Sequence, residues 1–159
     1  MSEEYNKRVR EFILSGVNES RVDGKPDTFW QSLRSTGTEL WLDTGDMDEA
    51  LANWTGEMSA LTTNNTLLNN EIQKGIYDEF IPSAPRLVAG LPKEEQIREI
   101  AFILNARHGL RLAGRFGGKV SVELHTCTAY DIDAIVDYGL RFHDICPEQF
   151  IVKVPYTPE

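Results

Sequence analysis

A lysine enclosed by apolar neighbours is the first feature of this sequence with chemical content: Phe150-Ile151-Val152-Lys153-Val154-Pro155. Lysine is almost never fully buried without a partner. Removal from water disfavours its ammonium form and favours the neutral amine, which is a nucleophile toward ketones and aldehydes. Three further polar positions close short apolar runs: Asp43 after Leu40-Trp41-Leu42, Thr62-Thr63-Asn64 after Met58–Leu61, and Glu123 in Ser121-Val122-Glu123. A desolvated amine together with an independent carboxylate base is the equipment of Schiff-base chemistry.

Each of these residues also has a plainer reading, and position alone leaves both open. Lys153 can reach past the strand end and cover the rim with its stem. Asp43 can cap the following helix, although Asp46 is better placed to do so. Asn64 can serve loop backbone groups, as asparagine does in turns. Glu123 can pair with Lys153 on the adjacent strand, which would hold the lysine charged and count against its nucleophilicity unless substrate or water intervenes.

The elements that must position these groups follow from periodicity. Tyr5, Val9, Phe12 and Ile13 fall at helical spacing over 3–14, and a second short helix over 27–34 carries Phe29, Trp30 and Leu33. From Glu39 onward short apolar runs alternate with amphipathic stretches. Strands are predicted at Leu40–Asp43, Met58–Thr63, Lys119–Leu124 and Phe150–Val154. After the first, Asp46 is predicted to cap a helix with Glu49 at capping-box spacing and Ala50, Leu51 and Trp54 on its apolar side. The second is followed by one helix with a ladder of Leu68, Ile72, Ile76 and Phe80, and the next helix, over 93–107, is predicted to bury Ile97, Ile100, Ala101 and Leu104, with Leu110–Phe116 extending it. Thr128 is predicted to cap a helix whose core face is Ile132, Ile135, Val136 and Leu140. The order βαβαβαβ calls for an α/β fold with a parallel sheet, and periodicity does not choose between a doubly wound sheet and a barrel. All four polar positions lie at the C-terminal ends of their strands, the edge where such folds bind ligands.

Composition narrows the function classes. The 159 residues hold 16 Lys and Arg against 25 Asp and Glu, a formal charge of −9. The first 38 residues are neutral, so the excess acid lies in 39–159, and no basic cluster offers the footprint that nucleic acid or an anionic membrane requires. No apolar run reaches membrane-spanning length, and the charged N-terminus lacks the core of a secretion signal. A cytoplasmic protein is expected, with Cys127 and Cys146 as reduced thiols and the glycosylation pattern at Asn53-Trp54-Thr55 a chance match. His108, His125 and His143 share no ligand-like spacing, so no metal is expected, and they are read as surface or packing residues. The Gly114-Arg115-Phe116-Gly117-Gly118 run precedes a strand rather than following one, the wrong context for a dinucleotide fingerprint. Trp30, Trp41 and Trp54 are expected in the core.

Taken together, LWLDTGDMDEA at 40–50, SALTTNNTLL at 59–68, VSVE at 120–123 and IVKVPYTPE at 151–159 resemble the transaldolases, including the fructose 6-phosphate aldolase-like members. The resemblance implies the N-terminal half, strands one to four, of a (β/α)8 TIM barrel over 39–159, preceded by a helical extension over 1–38. It implies a metal-independent and cofactor-independent aldol mechanism on sugar phosphates, a ketose donor and an aldose acceptor. Lys153 matches the Schiff-base lysine, Asp43 the acid/base, Glu123 the carboxylate that positions water, and Asn64, with Thr62 beside it, the substrate-binding strand end. Two departures stand out. Asn65 occupies the place where the family commonly has proline, a change expected to loosen the loop without touching the chemistry. A complete (β/α)8 barrel needs about 250 residues, so strands five to eight and their phosphate-binding residues are expected outside this chain, and a homo-oligomer or pairing with a C-terminal half is expected to close the sheet. The alternatives are a half-barrel without catalysis that acts as an assembly module and, less well suited to the DTGD and TTN segments, a deoxyribose phosphate-type aldolase.

Overall fold

Parallel strands cannot be joined by tight hairpins, so each pairing needs a crossover long enough to hold a helix. The computed structural model, which describes residues 1–157, meets this requirement throughout. Helices α1 (Glu3–Leu14) and α2 (Thr28–Arg34) lead into strand β1 (Leu40–Asp43), helix α3 (Met47–Asn53), strand β2 (Met58–Thr62) and helix α4 (Asn65–Gln73). A short α5 (Pro85–Val88), the 24-residue α6 (Lys93–Phe116), β3 (Lys119–Glu123), α7 (Ile132–Ile145) and β4 (Phe150–Lys153) follow.

The four strands form one parallel sheet in the order β1-β2-β3-β4. A doubly wound sheet reverses its strand order at a switch point, and this one does not. Sequential order with crossovers of one hand sends every helix to the same face, an arrangement consistent with part of a (β/α) barrel.

Register then sorts the side chains. Leu42, Leu61, Val120 and Phe150 lie in one row and Val122 and Val152 in the next, and all six pack in the helix-side core. The opposite face carries Trp41, Ala60 and Lys119, then Asp43, Thr62, Ser121 and Ile151, then Glu123 and Lys153. Alternation alone therefore puts the apolar set under the helices and the polar set together on the other side. Helix α6 lies close against the sheet because Gly109 has no side chain. A Cβ there would stand 2.8 Å from Val122 Cγ1 and 2.9 Å from Phe150 Cζ.

The N-terminal segment is bound to this core. Tyr5, Val9 and Ile13 of α1 are buried in the same cluster as the sheet residues. Three arginines four residues apart on α6 hold the chain that follows: Arg107 donates to the Ile13 and Ser15 carbonyls at 3.0 and 2.7 Å, Arg111 pairs with Glu19 at 2.7 Å, and Arg115 donates to the Ser20 carbonyl at 2.7 Å. Beneath α1, Glu99 is fully buried. Its carboxylate accepts Arg141 Nη1 and Nη2 at 2.8 and 2.6 Å, the Tyr138 hydroxyl at 2.6 Å and the Tyr5 hydroxyl at 3.1 Å. Burial by itself would raise the Glu99 pKa, but the Arg141 guanidinium and the two phenols outweigh it and hold the carboxyl below its usual range.

Several helical faces differ from the periodicity reading. On α7 the buried residues are Tyr138, Arg141, Phe142 and Ile145, whereas Ile132, Val136 and Leu140 are exposed. The helix carries two apolar stripes, and the one that contains Arg141 turns inward because Glu99 needs a partner. Asp131, not Thr128, caps it, accepting from Ala134 N at 2.9 Å. On α6 the residue expected inside, Ile97, is exposed, and Phe102, Ile103, Ala106, Leu112, Ala113 and Phe116 are buried. This helix packs against α1, α4, α5, α7 and β3, so no single stripe describes it. The ladder from Leu68 to Phe80 is not one helix: α4 ends near Gly75, whose φ of +81° lies in the left-handed region that favours glycine, and Ile76 is exposed. Phe29 and Leu33 of α2 and Leu51 of α3 are exposed too, and Trp41 stands exposed on the polar sheet face rather than in the core.

Removing one member of a buried ion pair strands the other charge, at a cost of about 3–5 kcal/mol. Arg141→Met is expected to lower the unfolding free energy by that amount in urea titration, and the double variant Glu99→Leu/Arg141→Met to recover most of it. A double variant as unstable as the single one would show that the stranded charge is not the cause.

Candidate functional site

The end of β3 and the end of β4 meet side by side. Lys153 Nζ stands 3.6 Å from Glu123 Oε1 and donates to the Thr63 carbonyl at 2.9 Å. The lysine side chain is 36% exposed, so the apolar neighbours that drew attention to it in the sequence do not desolvate it. Phe150 and Val152 face the helices, and Lys153 shares the polar face with Glu123. The pairing considered from the sequence alone is thus present.

Glu123 is held from its other side. Its Oε2 accepts the Asn65 backbone N–H at 3.1 Å and the Asn65 Nδ2 at 3.0 Å, and the same amide nitrogen donates to the Leu124 carbonyl at 3.2 Å. Asn105 Nδ2 of α6 donates to the Glu123 carbonyl at 2.9 Å. Both donors of Asn65, the residue expected only to loosen the loop, thus reach the Glu123 carboxylate. The signal was in the sequence as an amide replacing an imino acid beside a strand end, but its target could not be read without the β2–β3 register.

Asn64 occupies the N-cap of α4, its Oδ1 accepting from Leu67 N at 2.9 Å. The backbone-serving reading of this residue is thus realised for its oxygen. Thr62, one row down, is half-buried on the polar face in register with Asp43 and Ser121.

Asp43 is exposed at the end of β1, and Asp46 rather than Asp43 caps α3, accepting from Asp48 N and Glu49 N at 2.9 and 3.1 Å. Asp43 shares its row with Thr62, Ser121 and Ile151, so three strand spacings of about 4.8 Å and two residues of about 3.3 Å put it about 16 Å from Lys153 along the sheet. The loop that follows Asp43 is fastened at three points. Lys74 pairs with Asp46, and this ammonium, with the N–H groups of α3, holds the Asp46 carboxyl below the usual carboxylate range. The Thr44 hydroxyl donates to Glu49 Oε2 at 2.5 Å and accepts from Asp46 N at 3.1 Å, which replaces the predicted capping box with a relay.

The third point is His108, read from sequence as a surface or packing residue. It is buried on α6, with Nε2 2.7 Å from the Gly45 carbonyl and Nδ1 2.7 Å from the Tyr77 hydroxyl. A carbonyl only accepts, so Nε2 carries the proton and Nδ1 accepts from Tyr77. Burial pushes the His108 pKa down to about 4 and that of Tyr77 up to about 12. The spacing Leu104, His108, Leu112 on the inner side of α6 was the clue to this buried position.

Among the described residues no three His, Cys, Asp or Glu side chains converge as a metal site would require, Cys127 and Cys146 are free thiols, and no helix is long and apolar enough to cross a membrane. A model of the transaldolase/fructose-6-phosphate aldolase family matches residues 40–159. A search of curated proteins finds no match.

Because the His108 pKa is lower in the folded chain than the unfolded value of about 6.5, the unfolded state binds more protons between pH 6.5 and 4. The histidine's contribution is complete above pH 6.5 and is lost as pH falls toward 4, by about 3 kcal/mol in all at 1.36 kcal/mol per pH unit. Urea midpoints measured across this range should fall in the parent chain and fall less in His108→Gln.

Proposed function

The chain belongs to the transaldolase/fructose-6-phosphate aldolase family, and from that premise we propose that it carries out aldol chemistry on sugar phosphates through an imine on Lys153. The observation that carries this reading is the Lys153–Glu123 pair, at 3.6 Å, on the polar face at the C-terminal end of the strands. Family membership supports aldolase-type chemistry in general. The roles of single residues are this proposal's own.

The lysine must shed a proton before it attacks, and Glu123 Oε1 is the neighbouring acceptor, reached directly or through one water. Nζ then adds to the ketose C2 carbonyl. The carbinolamine loses its oxygen as water, which Glu123 orients and later returns for hydrolysis. Asp43 takes the proton of the C4 hydroxyl, the C3–C4 bond breaks, and its electron pair passes to the iminium, giving an enamine and a free aldehyde. In this scheme Thr62 and the Asn64 amide nitrogen bind substrate hydroxyls. In the transaldolase variant of this scheme the three-carbon unit passes to an aldose phosphate; in the aldolase variant it is released. No metal or cofactor enters either.

The proposal extends to assembly. The outer edges of β1 and β4 have no strand partner among the described residues, and α7 exposes the apolar stripe Ile132, Val136 and Leu140. An open strand edge and an unpartnered apolar stripe favour association. With a second copy of the chain as the partner, light scattering should give a mass of at least two chains, and a stable single-chain mass would contradict this part.

The chemical part is tested by incubation with fructose 6-phosphate or dihydroxyacetone and borohydride, followed by peptide mass mapping. The adduct is expected on the peptide that contains Lys153 and is expected to vanish in Lys153→Met. Asp43→Asn should retain the adduct while lowering aldol cleavage by a factor of about 100, in the range of a lost general base. Labelling confined to other lysines would overturn the reading.

A further inference from the structure

We propose that Asn65 is a positioning residue for Glu123, an inference that rests on the imine reading above. Asn65 is the first residue of α4, and the first N–H groups of a helix have no partner within it. Here that orphan donor is turned onto Glu123 Oε2 at 3.1 Å, with the side-chain Nδ2 of the same residue on the same oxygen at 3.0 Å. Two donors on one carboxylate oxygen fix the plane of the carboxyl group. They leave the other oxygen, Oε1, directed at Lys153 Nζ. Bonds to an ionised acceptor are stronger than neutral ones, and the N-terminal end of α4 adds a favourable dipole for the charge.

The backbone does not itself require asparagine at this position. Asn64 before it is extended, with φ −148° and ψ 173°, the region that a following proline imposes. The first position of a helix is also the one that proline occupies without loss of an internal hydrogen bond. A proline would fit and would contribute neither donor. What Asn65 adds is therefore the pair of hydrogen bonds to Glu123 and the bond from Nδ2 to the Leu124 carbonyl, which ties the start of α4 to the end of β3. In the imine cycle this anchoring keeps Oε1 within reach of the lysine and of the water that is lost and regained. Asn65 touches neither substrate nor Nζ, and its effect passes through Glu123.

Two measurements on the whole chain test this. The first does not depend on activity. Since the Asn65 N–H has no partner within the helix, its protection from hydrogen exchange reports the Glu123 bond. It should exchange at least tenfold faster in Glu123→Ala than in the parent, and equal rates would overturn the inference. The second is the rate of borohydride-trapped adduct formation at Lys153 with dihydroxyacetone. Asn65→Pro should lower this rate about tenfold and Asn65→Ala, which keeps the backbone donor, about threefold. The concentration of dihydroxyacetone giving half-maximal rate and the melting temperature should stay near those of the parent. A merely structural role would move the melting temperature instead, and unchanged trapping in Asn65→Pro would overturn the inference while leaving the imine reading intact. Absence of any adduct at Lys153 in the parent would overturn the imine reading, and with it the role of Asn65 in that cycle.

Discussion

Because each strand pairs with the one before it and all run parallel, every crossover helix has to land on the same side of the sheet. That constraint decides the remaining features of the molecule. The helix side takes Leu42, Leu61, Val120, Val122, Phe150 and Val152, and pleating then leaves Asp43, Thr62, Ser121, Glu123 and Lys153 together on the opposite side. No separate device is needed to gather the polar groups. Their concentration at one end follows from the polar residue that closes each strand, Asp43, Thr62, Glu123 and Lys153. A one-residue slip in any strand would exchange the two faces, so the helix-side packing also protects the register of the site.

The second layer is secured by a buried charge. Glu99 sits among α1, α6 and α7 and is satisfied by Arg141, Tyr138 and Tyr5. The Arg141 guanidinium also lies 4.3 Å from the Phe102 ring centroid and 4.9 Å from that of Tyr138, so the ion pair is embedded in aromatic surface rather than water. A lone carboxylate at this depth would be strongly unfavourable. Only an approach that brings all three helices into place satisfies it, which fixes the rotation of α7 and holds the N-terminal helix on the barrel-like core. At the other end of α6, His108 reaches the loop after β1 through the Gly45 carbonyl. One helix therefore links the N-terminal segment, the Asp43 loop and, through Asn105, the end of β3.

Strand positions, their parallel order and the four polar strand ends were legible in the sequence because strands here are short, apolar and closed by a polar residue. The choice between a doubly wound sheet and a barrel was not, since it depends on strand order rather than on any local pattern. Helical faces were read less well. Ile132, Val136 and Leu140 present as good a stripe as Tyr138, Phe142 and Ile145, and only the need of Glu99 for Arg141 decides between them. The partners of His108 and Asn65 escaped notice for a common reason: each residue reaches groups distant in sequence, and such partners have no signature in local spacing. Lys153 was noticed on the right strand, but Phe150 and Val152 face the opposite side of the sheet and leave its side chain partly exposed.

We propose that the polar face, with Lys153 paired to Glu123, is the seat of the chemistry. The most direct measurement is a crystal structure of the chain after reduction with borohydride in the presence of dihydroxyacetone. Continuous density is expected from Lys153 Nζ to a three-carbon unit lying on the face that carries Asp43, Thr62 and Glu123. A three-carbon unit attached to another lysine, with the Lys153–Glu123 pair undisturbed, would contradict it.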